Sequence, residues 1–168
     1  NTRRLEAETI RDALLAVSGT LDNSIHGKGT LDTRSSRRSV YFTVKRSQLI
    51  PLLQLFDAPD TMQGIATREQ STVAPQALAI LNSPIIRELA SKFAKRIHPH
   101  EGTSIEQTVN RAYQIALSRP PSEEEITSMK AFIQHQVTLR EEDDNRQALA
   151  VRDFCHLILC LNEFVYIE

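Results

Sequence analysis

The residues best suited to chemistry in this chain are a few imidazoles, two thiols and one dense run of cations. His98-Pro99-His100-Glu101 sets two imidazoles and a carboxylate side by side, donor types that could seed a site for a borderline metal. No second pair with His-x-x-x-His or Cys-x-x-Cys spacing accompanies them, so the string reads as a solvated interhelical loop and no metal is expected. His26-Gly27-Lys28-Gly29-Thr30 lacks both the G-x-x-x-x-G-K-[ST] spacing and a preceding strand, and reads as a loop. Cys155 and Cys160 fall on one helical stretch, with Cα atoms about 8.6 Å apart by helix geometry, too far for a disulfide. Cys155-His156 ends like a haem-attachment motif, but Arg152 stands where its first Cys must be. Both thiols read as small buried hydrophobes. No G-x-S-x-G elbow is present, and Asn82 and Asn162 read as helix-end groups that bond backbone rather than as catalytic residues.

The densest positive charge lies between residues 34 and 46, where five cations occur with no acid and with Tyr41 and Phe42 between them. Arg34, Arg37, Arg38, Tyr41, Lys45 and Arg46, with Asp57 and Gln76 from neighbouring segments, form the candidate ligand- or partner-binding set. Two readings compete. The segment could bind phosphates, an acidic polymer or an acidic protein surface, or its cations could pair internally with Asp57, Asp60 or the run Glu141 to Asp144. The second is the commoner arrangement in a chain whose charges cancel.

Those residues need a scaffold, and the rest of the chain supplies helices. Leu5, Ile10, Ala13, Leu14 and Val17 make a helical stripe ended by Gly19. Residues 20 to 36 have no periodicity and read as a long surface loop. Ser39 to Lys45 is β-branched and aromatic and reads as a strand, paired either with Leu21 to Ile25 or outside the chain. Ser47 to Phe56 reads as a short helix, residues 61 to 73 as irregular, and Thr72 as the cap of a helix from Pro75 to Leu81. Ser83-Pro84 starts a helix with Ile85, Ile86, Leu89, Phe93 and Ile97 inward. Ser104 and Ser122 each open a helix with capping-box spacing, and Gln147 to about Phe164 is apolar on most sides, as a central helix must be.

The expected fold is therefore mainly α, about six helices packed around a C-terminal buried helix, with one minor β-strand or hairpin, in a single domain spanning 1–168. The 168 residues carry 20 basic and 21 acidic side chains, 40% hydrophobic residues and no Trp. That balance gives no global attraction to nucleic acid or anionic lipid, and the longest apolar run falls far short of the ~20 residues of a membrane helix.

Several strings resemble a known family: R-R-L-E-A-E-T-I-R-D-A at 3 to 13, R-R-S-V-Y-F-T-V-K-R at 37 to 46, L-L-Q-L-F-D-A-P-D at 52 to 60, T-V-A-P-Q-A-L-A-I-L-N-S-P at 72 to 84, A-L-S-R-P-P-S-E-E-E at 116 to 125 and L-N-E-F-V-Y at 161 to 166. They are similar to the C-terminal part of a domain of unknown function abundant in planctomycete bacteria, which closes large exported proteins carrying a cytochrome c-like module. The resemblance implies an extracytoplasmic host protein, a fragment of which is this chain, and a haem held elsewhere in that host, with no cofactor here. The expected role is a non-catalytic interaction or scaffold domain, docking other domains of the host or an acidic partner surface through segment 34 to 46 and the loop 57 to 71. The alternative is part of a redox-linked enzyme acting on polysaccharide or another polymer. On the first helix Glu6, Arg11 and Asp12 are expected to pair with Arg37 or Arg38 and fix that segment.

Overall fold

A computed structural model describes residues 2–45, 50–58, 74–98 and 102–167. Among them eight α-helices occur: α1 (Ala7–Val17), α2 (Pro51–Leu55), α3 (Ala74–Asn82), α4 (Pro84–Ile97), α5 (Ile105–Leu117), α6 (Glu123–Thr138), α7 (Arg146–Leu159) and α8 (Asn162–Val165).

 Two short strands, β1 (Arg3–Arg4) and β2 (Tyr166–Ile167), pair antiparallel, with Arg3 opposite Ile167 and Arg4 opposite Tyr166. The fold is mainly helical, as the sequence implies.

The core sits where α7, running Arg146–Leu159, packs against α4, α5 and α6. Its buried residues Ala150, Val151, Phe154, Cys155, Ile158 and Leu159 meet the α4 stripe of Ile86, Leu89, Ala90, Phe93, Ala94 and Ile97. Each large side chain buried here contributes about 1.5–3 kcal/mol. The i, i+3, i+4 spacing on α4 forms one apolar face only if the helix starts in register. Ser83 sets that start, its hydroxyl accepting the Ile86 N–H at 3.4 Å, and Pro84 follows in the first turn. At the other end of α4, Arg96 reaches across the bundle and donates to the carbonyls of Ala16 and Val17, each at 2.8 Å. One side chain thus meets two carbonyls at the end of α1, of which Ala16 O also accepts the Gly19 N–H at 3.1 Å.

Ser122 forms the complete capping box at the start of α6, its hydroxyl accepting from Glu125 N and the Glu125 carboxylate accepting from Ser122 N. Ser104 makes only the first half of such a box, accepting from Gln107 N at 3.1 Å. Between them Ser118 ends α5 in the left-handed conformation, φ 57°.

Two expectations are corrected. Ser39 to Lys45 is not a strand: Ser39–Tyr41 is a turn of 3-10 helix, followed by an isolated parallel bridge between Thr30 and Phe42. A second such bridge joins Asp22 to Arg37, so the loop from 20 to 36 does lie beside this segment, but without a ladder. Val40 and Val44 are 73% and 69% exposed. The β element lies instead at β1 and β2. Finally, the last apolar stretch is not one helix to Phe164. It breaks at Cys160 and Leu161, letting α8 turn Phe164 and Val165 into the core. The expected helix start at Ser47, the cap at Thr72 and the segment 61 to 73 lie outside the described residues.

Candidate functional site: a pinned loop and the cavity beside it

The candidate basic segment is shaped by an arginine that the sequence places on the apolar side of α1. Arg11 is 6% exposed. Burial lowers its pKa by disfavouring the charged form, and the neighbouring Asp12 opposes that shift. Its donors are met by the loop: Nη1 donates to Arg37 O at 2.9 Å and Ser39 Oγ at 3.2 Å, and Nη2 donates to Ser35 O. The guanidinium also lies 4.4 Å from the centre of the Phe42 ring. Asp12 completes the attachment, accepting both the N–H and the hydroxyl of Ser39 on Oδ1 and lying 3.6 Å from Arg38 Nε through Oδ2. The expected pairing of α1 with the basic segment is present through Arg11 and Asp12.

Arg37 is consumed within the loop. Its guanidinium stacks 3.5 Å from the Tyr41 ring centre and donates to the carbonyls of Lys28, Ser24 and His26. The Tyr41 hydroxyl accepts the His26 N–H at 2.8 Å. Arg37 and Tyr41 therefore organise the surface. Arg38 and Lys45 remain exposed, and Arg46 lies outside the described residues.

Asp57 and Gln76 belong to another locality, the C-terminal end of α2. Arg4, 4% exposed, donates to Phe56 O at 3.1 Å and Asp57 Oδ2 at 2.8 Å. Gln76 donates to Leu55 O at 3.0 Å. Asp57 thus has Arg4 as an internal partner. In the run Glu141 to Asp144 the bonds are local: the Glu141 carbonyl accepts from Arg146, and Asp143 Oδ1 accepts the Asn145 N–H.

Arg34 takes a different direction. It lines a cavity of about 460 Å³ between α1, α2, α4 and loop residues 33–36. Leu14, Leu15, Leu52, Leu55, Ile86 and Leu89 supply its apolar lining. Thr33, Arg34, Ser36, Glu88 and Lys92 give it polar and charged groups. Lys92 and Glu88 are paired at 3.0 Å. Glu88 is held below its usual carboxylate pKa first by the hydrogen bond and charge of Lys92, with a smaller contribution from the Arg34 charge. Sequence spacing does not reveal this cavity, because its wall joins helices distant in the chain. The one available signal was Arg11 in phase with Ile10 and Leu14, which marks a buried guanidinium that must recruit backbone carbonyls.

No cluster of three or more His, Cys, Asp or Glu occurs among the described residues. His98 Nδ1 lies 2.8 Å from Thr108 Oγ1, and partial burial lowers its pKa, whereas Pro99, His100 and Glu101 lie outside the described residues. Cys155 and Cys160 are free thiols. No helix among the described residues is long and apolar enough to cross a membrane.

These features define a mainly helical domain closed by a two-strand pairing, its long loop fastened to the first helix. The chain belongs to the PSD1 family, described as Protein of unknown function (DUF1553), whose model matches residues 1–133. That span runs from β1 into α6 and takes in both the loop and the cavity. No curated protein and no solved structure matches the chain.

Proposed function

We propose that this chain is a non-catalytic docking domain of a larger exported, cytochrome-linked protein, and that its loop meets an acidic surface on another domain of that host. The observation carrying the docking role is the make-up of the loop's exposed side chains. Ile25, Val40 and Val44 are 74%, 73% and 69% exposed, and the exposed cations Lys28, Arg38 and Lys45 share that loop. Arg11, Asp12 and Arg37 hold the backbone from within, so little ordering remains when a partner binds. Apolar side chains with cations around them suit a partner whose apolar spots are rimmed by carboxylates. The host, its export and its haem enter through the family resemblance in the strings at 3 to 13 and 37 to 46.

The test is binding of this chain to the separately expressed remainder of the host, with cross-linking of the intact host to locate the contact. The triple variant V40D, V44D and K45E should weaken binding at least tenfold, remove cross-links at Lys28 and leave the helical circular dichroism unchanged. Binding of the parent should also fall as salt rises. Unchanged affinity of the variant rejects the loop as the docking face. Turnover of a polysaccharide by the host that requires this loop would favour the rival enzyme reading.

A further inference from the structure

The cavity beside Arg34 has a composition that the docking role does not use. Its 460 Å³ falls within the range of small-molecule sites. Two of its cations have an acidic partner: Arg11 the adjacent Asp12, which lies outside the lining, and Lys92 the lining residue Glu88. Arg34 is different. Its backbone N–H bonds Asp32, but its guanidinium has no hydrogen bond or ion pair among the described residues. The Thr33 and Ser36 hydroxyls beside it are likewise without a hydrogen bond there. Ser83, Ile85 and Ile86 bring the first turn of the fourteen-residue α4, the positive end of its dipole, into the same wall.

We infer that this cavity binds an amphipathic organic anion, a carboxylate with an apolar tail, its head at Thr33, Arg34 and Ser36 and its tail over Leu14, Leu52 and Leu89. A small inorganic anion would satisfy Arg34 and leave the leucine wall in water. A neutral apolar molecule would cover the leucines and bring no counter-charge to the guanidinium. A cation would meet the excess positive charge left by Arg34. Only a ligand carrying both parts meets both halves of the lining. The carboxylate gains charge-assisted hydrogen bonds while the tail leaves water.

The test uses the full chain with decanoate, decanol and acetate below micelle-forming concentrations, read by calorimetry and by ¹⁵N and methyl chemical shifts. Decanoate should bind one to one, shifting the amides of 33–36 and the methyls of Leu14 and Leu89. Decanol should bind roughly tenfold more weakly and acetate not measurably, since one charge-assisted contact is worth about a factor of ten. Arg34 is exposed, so R34Q keeps the fold. It should weaken decanoate about tenfold and leave decanol unchanged, whereas A79L in the cavity wall should weaken both. The inference is overturned if decanoate binds no better than decanol, if R34Q leaves its affinity unchanged, or if the shifts fall away from the cavity. Neither Arg34 nor Ala79 belongs to the triple variant that tests docking, so the two results are independent.

Discussion

Asp12 Oδ1 accepts from both the backbone N–H and the hydroxyl of Ser39, each at 2.7 Å, so a single carboxylate on α1 fixes the turn that begins the exposed half of the loop. Removing it leaves a buried Ser39 without that acceptor and Arg11 without its neighbouring anion. D12A should cost about 1–3 kcal/mol, read by urea denaturation, with faster amide exchange at Ser39. Arg38 stands 3.6 Å from the same carboxylate and is 62% exposed. R38E sets two like charges together and should cost about 0.5–1 kcal/mol, a fall in Tm of a few degrees for a chain of this size. An unchanged Tm would remove Arg38 from the fastening.

Gly29 leaves room for the neighbouring strand-like segment. A Cβ there would lie 2.6 Å from Thr43 Oγ1 and 3.2 Å from the Tyr41 carbonyl oxygen. G29A should destabilise the protein by about 1–3 kcal/mol through overpacking. Pairing it with T43A removes the nearer clash and should restore part of the loss, while the carbonyl contact remains. Equal stability of G29A and the parent would show that the bridge between Thr30 and Phe42 yields without cost.

Arg119 ties three helices together. It bonds both Glu125 oxygens at 2.8 Å and both Glu163 oxygens at 2.6 and 2.7 Å, and lies 5.3 Å from the centre of the Tyr113 ring. The Arg119 hydrogen bonds are the largest cause of the lowered Glu125 pKa, about 2 against an ordinary 4.5; Glu163 is lowered by the same guanidinium. Both carboxyls are depressed in the folded state, so their stabilisation is present above pH 4.5 and is lost as the pH falls toward 2. The groups are partly exposed, so R119A should cost only about 1 kcal/mol at neutral pH. Acid titration of stability should show the variant losing less than the parent between pH 4.5 and 2. Parallel curves would dismiss the clamp.

The two thiols should react in order. Cys155 is fully buried, and burial pushes its pKa well above the ordinary thiol value; half-buried Cys160 is raised as well. Iodoacetamide at pH 8, followed by peptide mass spectrometry, should label Cys160 first and reach Cys155 only as the protein unfolds. Simultaneous labelling of both would mean that α7 opens readily in the native state.

The helices were legible because their signals are local. Ser83-Pro84 and Ser122 with Glu125 announce starts, and the spacing of Ile86, Phe93 and Ile97 announces a buried face. The segment 39 to 45 misled for a physical reason: its β-branched and aromatic residues favour an extended chain, but here Arg11, Asp12 and Arg37 capture its backbone and ring faces one at a time. A strand needs a partner along its length, whereas Phe42 meets Thr30 only in an isolated bridge. The candidate set divided for a similar reason. Arg37 and Tyr41 satisfy each other, Asp57 is taken by Arg4, and only a tertiary fold could show that Arg34 meets Leu14 and Leu89 across a cavity.

The pairing of Arg3 with Ile167 also dictates how the domain bears mechanical load. Residues 3 and 167 sit at one end of the same short antiparallel ladder, so force applied between them peels its hydrogen bonds in succession instead of shearing them together. Leu5 N to Val165 O, at 2.8 Å, is the next contact in that line. Low force would therefore open this seam before it reaches the interlocked faces of α4 and α7, making the joined ends the domain's mechanical fuse.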